Sequence, residues 1–174
     1  MSVEPTGYTG KIVSKARTML ANSATFQAQV KAADAAAALR HIYGFYLFDR
    51  DRKVCPPFAM IYPALGAAPM WEKVAVGSRN RLRPSGAVDV ALTDWISFGS
   101  DGASGCDSEF DSEMLFLNFM DGVAGDLAAM SAVNDNLALS RIEFAVEPVP
   151  DRPEESTPDN PGTWNGVLRL VVER

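Results

Sequence analysis

Few residues in this chain could do chemistry. His41 is the one histidine. It stands between Arg40 and Ile42 in DAAAALRHIYGF. An imidazole can act as a general base or a metal ligand, but a nucleophilic triad also needs a serine or cysteine on a suitable turn. The glycine-rich stretch GSDGASG at 99–105 lacks the Gly-x-Ser-x-Gly spacing of a nucleophile elbow. It also lacks the Gly-Lys-Ser/Thr ending of a phosphate loop and the glycine spacing of a dinucleotide fingerprint. His41 is therefore expected to be an ordinary, partly buried helix residue, and GSDGASG a loop. Asp101, Asp107, Glu109, Asp111 and Glu113 offer oxygens for calcium. Counting from Asp101, however, Cys106 stands where a calcium-binding loop needs its glycine. Carboxylates crowded there suit the N-terminal turns of a helix, where the dipole favours negative charge. No spacing singles out a glycosidase-type carboxylate pair. Two cysteines and one histidine cannot make a four-cysteine zinc site or a disulfide-dense scaffold. Cys55 and Cys106 are expected as reduced thiols. No catalytic residue, metal ligand or cofactor follows, and the chain is not expected to be an enzyme.

Charge is the other chemical resource. Sixteen Lys and Arg stand against 22 Asp and Glu, a net charge of -6 over 174 residues. Holding nucleic acid by bulk charge requires a basic surplus, so that class is disfavoured. The charge is uneven: Arg79, Arg81 and Arg83 form a basic island, while 101–113 and 151–159 are acidic. At 47% hydrophobic and 22% charged residues, the chain can bury a core, and its length suits one domain. The N-terminal MSVEPTGYTGKIVSK has no basic head and apolar stretch of a signal peptide. No apolar run reaches the length of a membrane helix.

The elements that must position these residues follow from periodicity. Residues 1–10 are expected as a loose arm, with Thr9 capping a helix over 11–20. A short helix is expected at 25–30. A third, capped by Asp34, is expected to run through DAAAALRHIY to Gly44. FAMIYP, WEKVAV and AVDVAL then have strand character, separated by a polar, basic turn over GSRNRLRPSG. Val88, Val90 and Leu92 share one strand face, with Asp89, Ala91 and Thr93 on the other. From 108 to about 131 a long helix is expected, with Phe116, Met120, Val123, Leu127 and Met130 as its buried stripe. Residues 140–148 and 163–174 alternate as closing strands. PVPDRPEESTPDNPG between them is expected as a long loop over 149–162, because its prolines cannot sit inside a helix or a central strand. Helices segregated from runs of strands predict an α+β domain over 11–174: a mainly antiparallel sheet of about four to five strands, packed by one long helix plus N-terminal helices.

The order of elements resembles the tail terminator (tail completion, minor tail) proteins of long-tailed bacteriophages. The likeness rests on KIVSKARTML followed by SATFQAQV, the proline-led PPFAMIYP, the strand GAVDVAL and the acidic-start helix DSEFDSEMLFLNFMDGVAGDLAAM. SRIEFAVEP, a polar loop and the terminal strand WNGVLRLVV complete it. Head–tail joining proteins of the phage neck share the pattern. The resemblance implies a virion subunit, assembled in the host cytoplasm, that forms a homo-oligomeric ring, commonly a hexamer, on the head-proximal end of the tail tube. Its partners would be the tube protein and the neck or connector proteins, with DNA passing through the lumen without specific binding and no membrane involved. On this view the contact residues would be Arg79, Arg81 and Arg83 in the basic turn, Asp107, Glu109 and Asp111 at the acidic helix start, and Asp151, Arg152, Glu154 and Glu155 in the proline-rich loop. The alternatives are a connector or head-completion protein of the neck, a small ligand-binding α+β domain from a bacterial genome, and a small enzyme using carboxylates alone.

Overall fold

The computed structural model describes residues 7–44, 54–64, 71–76, 79–84, 86–96, 109–133, 136–151 and 162–172. Helix α1 covers Tyr8–Ala21, α2 Ala24–Gln29 and α3 Ala35–Ala38, followed by one 3-10 turn at Leu39–His41. Strands β1 (Ile42–Gly44) and β2 (Phe58–Pro63) come next, then β3 (Trp71–Val76), β4 (Arg79–Pro84) and β5 (Ala87–Trp95). Helix α4 runs Glu109–Ser131, and β6 (Leu139–Asp151) and β7 (Thr163–Val172) finish the fold. The architecture is α+β, as expected. A five-stranded sheet ordered β1-β2-β5-β7-β6 is antiparallel except for the β1–β2 pair, and β3–β4 is a separate two-stranded sheet.

Register explains how the core closes. Val88 pairs with Leu170, Val90 with Leu168 and Leu92 with Gly166. Ala59 and Ile61 of β2 align beside Leu92 and Val90. Apart from Gly166, these residues share one core cluster, on one sheet face, with Ile12, Met19 and Leu20 of α1, Phe26 of α2 and the α4 stripe. Phe116, Met120, Val123 and Leu127 are buried and Met130 packs against them, so the expected stripe is the one the helix uses. Phe116 stacks on Trp164 at 6.4 Å between centroids, and Trp164 Nε1 donates to Ser112 Oγ at 2.9 Å. The indole thereby buries its apolar body with its one donor satisfied. α2 is held at its start. Phe26 N donates to Ser23 Oγ at 3.1 Å, while Asp126 of α4 accepts from Ser23 Oγ at 2.7 Å and from Thr25 N at 2.9 Å. Asp34 Oδ1 accepts from Ala37 N at 2.7 Å, the expected cap of α3.

Four expectations are corrected. The loose arm does not extend to residue 10, nor does Thr9 cap: α1 starts at Tyr8 behind Gly7, because Tyr8 packs against the core. The third helix does not reach Gly44. Its alanine run is only four residues long, and Ile42 is better buried as a strand residue beside Ala59. The segment 79–84 is not a turn but strand β4, paired along its whole length with β3. Finally, Val149, Pro150 and Asp151 are not loop: β6 continues through them, pairing with Asn165, Trp164 and Thr163. Prolines are admissible there because β6 is the edge of the sheet, where one side of the strand owes no ladder hydrogen bonds.

Candidate interaction surfaces

The residues singled out from sequence fall on three separate elements. Arg79, Arg81 and Arg83 occupy alternate positions of β4, opposite Val76, Val74 and Glu72 of β3. Glu109 is the first residue of α4, and Asp111, in the same turn, is exposed. Asp151 ends β6 and is exposed. Asp107, Arg152, Glu154 and Glu155 lie outside the described residues, as does Cys106. His41 sits half-buried in the 3-10 turn and Cys55 is an exposed free thiol. Among the described residues, no cluster of His, Cys, Asp and Glu could hold a metal ion, and no helix is long and apolar enough to cross a membrane.

Two surfaces were not anticipated from sequence. The first is the sheet face opposite the helices. Tyr62, Asp89, Arg169 and Glu143 line up across β2, β5, β7 and β6 in one register row. Arg169 Nε donates to Asp89 Oδ1 at 2.8 Å and Nη2 to Oδ2 at 2.9 Å, a planar fork on a carboxylate. The hydrogen bond to Asp89 holds the guanidinium pKa above its ordinary value. Burial, then the neighbouring Asp89 charge, push the Tyr62 phenol up. A second row matches Thr93 with Asn165, whose Oδ1 accepts from Thr93 Oγ1 at 2.9 Å. These rows make the central strand polar on the face that carries Asp89, Ala91 and Thr93. Asp89, Thr93 and even Ala91 are buried. A lone Asp in AVDVAL was the one available signal, but its partner lies 80 residues away.

The second surface is the β6 edge. This strand is 13 residues long, pairs with β7 alone among the described residues, and has three register irregularities. Phe144, Val146 and Val149 are exposed along it. Between β6 and the C-terminal half of α4 lies a groove of about 480 Å³, walled by Leu139, Ile142 and Phe144 and floored by Ala124, Gly125 and Ala128. On the opposite sheet face, beside Arg169, Arg141 Nε meets Glu143 Oε2 at 3.1 Å. Bulges and prolines discourage uncontrolled edge-to-edge pairing, while the exposed apolar side chains and the groove are what a specific protein contact uses.

One acid departs from the pattern of paired charges. Asp94, at the end of β5, is buried on the helical side; it accepts from Trp95 N at 2.8 Å and from Gln29 Nε2. Burial raises its pKa, and those hydrogen bonds only partly offset the effect. Compared with known proteins, the chain matches no family model and no curated protein sequence.

Proposed function

We propose that this protein is a structural subunit of a long-tailed phage virion, a tail terminator whose copies form a ring at the head-proximal end of the tail tube and join it to the neck. The observation that carries this role is the β6 edge: a long, bulged strand whose exposed Phe144, Val146 and Val149 flank a groove, on an otherwise well-packed sheet. Such an edge is a contact device on a rigid body. The β3–β4 hairpin, with arginines at three alternate positions, is a second one. The element order of the resembling family supports the same role. A ring subunit touches two neighbours through two different patches, so the contact is heterologous and cyclic. Opposite-sign regions on one chain, Arg79–Arg83 against Asp111 and Asp151, suit such a contact, because complementary charge sets register more than it adds affinity. The net charge of -6 fits a lumen that conducts DNA without gripping it.

Native mass tests the proposal. The purified protein is expected to form a closed ring, commonly six copies, and to bind the open end of tail tubes. Reversing Arg79, Arg81 and Arg83 to Glu is expected to shift it to smaller species. An oligomer unchanged by the reversal at both low and high salt would remove the arginines from the contact, and a monomeric wild type would remove the ring.

A further inference from the structure

Strand β6 is a sheet edge whose outer side meets no other strand among the described residues. An edge offers a row of backbone N–H and C=O groups to any chain laid beside it. Most of β6 is ill suited to take one. Leu139 N already donates to Ser131 Oγ. Pro148 and Pro150 lack the N–H that a ladder needs. Register irregularities fall between Leu139 and Arg141, between Phe144 and Val146, and between Val146 and Val149. One regular stretch is left, Arg141–Phe144, paired in order with Val171, Leu170, Arg169 and Leu168.

That stretch ends an alternating row of charge. On the sheet face away from the helices, Asp89 of β5 stands beside Arg169 of β7, and Arg169 beside Glu143 of β6. The row runs negative, positive, negative and stops at the edge, with the Glu143 side chain 40% exposed. A strand added there would continue it best with a cation, because opposite charges directly across two strands attract. β6 itself carries one on the same face, two residues away: Arg141, whose side chain is 66% exposed. Within one copy Arg141 Nε reaches along its own strand to Glu143 Oε2 at 3.1 Å, and an exposed pair of this kind contributes little alone.

A second copy of β6 brings the required cation in one register. Two identical antiparallel strands related by a two-fold axis oppose residue to residue, and opposed side chains share a sheet face. The axis therefore passes through one residue, which meets its own copy. Centring on Arg141 or on Glu143 sets like charges against each other, which is destabilising. Centring on Phe144 opposes Ile142 to Val146, which the irregularity between them has turned to the other face: Ile142 pairs with Leu170, but Val146 with Val167. Centring on Ile142 sets Arg141 opposite Glu143 twice and Ile142 against itself.

We propose that β6 pairs antiparallel with β6 of a second copy of this chain, about a two-fold axis at Ile142, so that Arg141 and Glu143 of each copy meet Glu143 and Arg141 of the other. The two sheets then become one, and the row Asp89, Arg169, Glu143 runs on to Arg141 of the second copy. The contact is isologous and closes at two copies. It goes beyond the ring role proposed above and does not rest on it: two rings joined back to back would contain both contacts.

The test uses Arg141→Glu and Glu143→Arg in the full chain. Far-UV circular dichroism and thermal melting should match wild type for both, since both side chains are at the surface. Self-pairing of either variant puts like charges opposite each other at both positions. By sedimentation equilibrium the wild type is expected to contain an even number of copies, and each variant alone to fall to half that mass, its pairing weakened roughly tenfold or more. In a mixed pair the two substituted side chains meet with opposite sign, and so do the two native ones. An equimolar mixture is therefore expected to regain the wild-type mass, which repair of a merely local defect would not produce. Should either variant lose its fold, Arg141→Asp or Glu143→Lys replaces it. Variants that keep the wild-type mass, or a mixture that stays at half of it, would overturn the pairing while leaving a ring built on another surface. A wild type that stops at two copies would keep the pairing and remove the ring. A wild type that is monomeric throughout would overturn both.

Discussion

The Asp89–Arg169 pair invites a quantitative test. The Asp89 side chain is 9% exposed and that of Arg169 27%, so the carboxylate is the more deeply committed partner. Arg169→Met keeps the length and apolar body of the side chain but strands a buried carboxylate beside the Tyr62 ring. Removing one partner of a buried pair costs about 3–5 kcal/mol. Because the guanidinium end is partly wet and water can reach it, the low end applies, about 3 kcal/mol. For a chain of this size, that corresponds to a fall in Tm of roughly 6–12 °C. Adding Asp89→Asn removes the stranded charge, and replacement of a whole buried pair is often near neutral. The double variant is therefore expected to recover most of the loss. Urea unfolding of wild type, both single variants and the double variant closes the thermodynamic cycle. A coupling energy below about 0.5 kcal/mol, or a double variant no more stable than Arg169→Met, would refute the view that the row is held by a desolvated fork.

Asp94 should behave oppositely. Burial holds its carboxyl above the ordinary value, so the fold favours the protonated form. That contribution is complete below the unfolded-state pKa, about 3.9, and fades as pH rises through the folded one. Asp94→Asn keeps an acceptor for Trp95 N, and Gln29 can turn its amide to match. It should gain up to about 1 kcal/mol at neutral pH and flatten the pH dependence of the melt; marked destabilisation at pH 7 would contradict this. Asp126 runs the other way: burial tends to raise its pKa, but hydrogen bonds from Thr25, Ser23 and Ala24 outweigh it and leave the value lowered. Its contribution is present above the unfolded pKa and lost as pH falls through the folded one. Asp126→Ala, which removes a cap of α2, should cost about 1 kcal/mol, shrinking toward zero in acid; a loss that stayed constant down to pH 2 would assign the effect to packing instead.

Much of the fold was legible because its signals are local. A 3.6-residue apolar stripe needs no partner to be seen, and the stripe from Phe116 to Met130 located α4 and its buried side. Alternation did the same for β5, β6 and β7, and Asp34 caps α3 as expected. What escaped was whatever depended on a distant neighbour. Arginines at 79, 81 and 83 resemble a polar turn until β3 is set against them. Val149–Asp151 reads as loop until β7 offers a partner. Ile42–Gly44 reads as the tail of a helix until β2 lies alongside in parallel.

The contact surfaces divide in the same way. Composition alone established an acidic chain with one histidine and two cysteines, and spacing alone excluded the common nucleophile, phosphate-loop and calcium motifs. Both are properties of residue type and sequence distance. Only the tertiary structure decided that β6 is an edge, that Asp89 meets Arg169, and that small residues of α4 open a groove beneath Phe144. An edge is defined by which strand is missing beside it, and a groove by side chains brought together from remote parts of the chain. The free energy of those pairings is shared among non-local partners, so no local pattern in the sequence carries it.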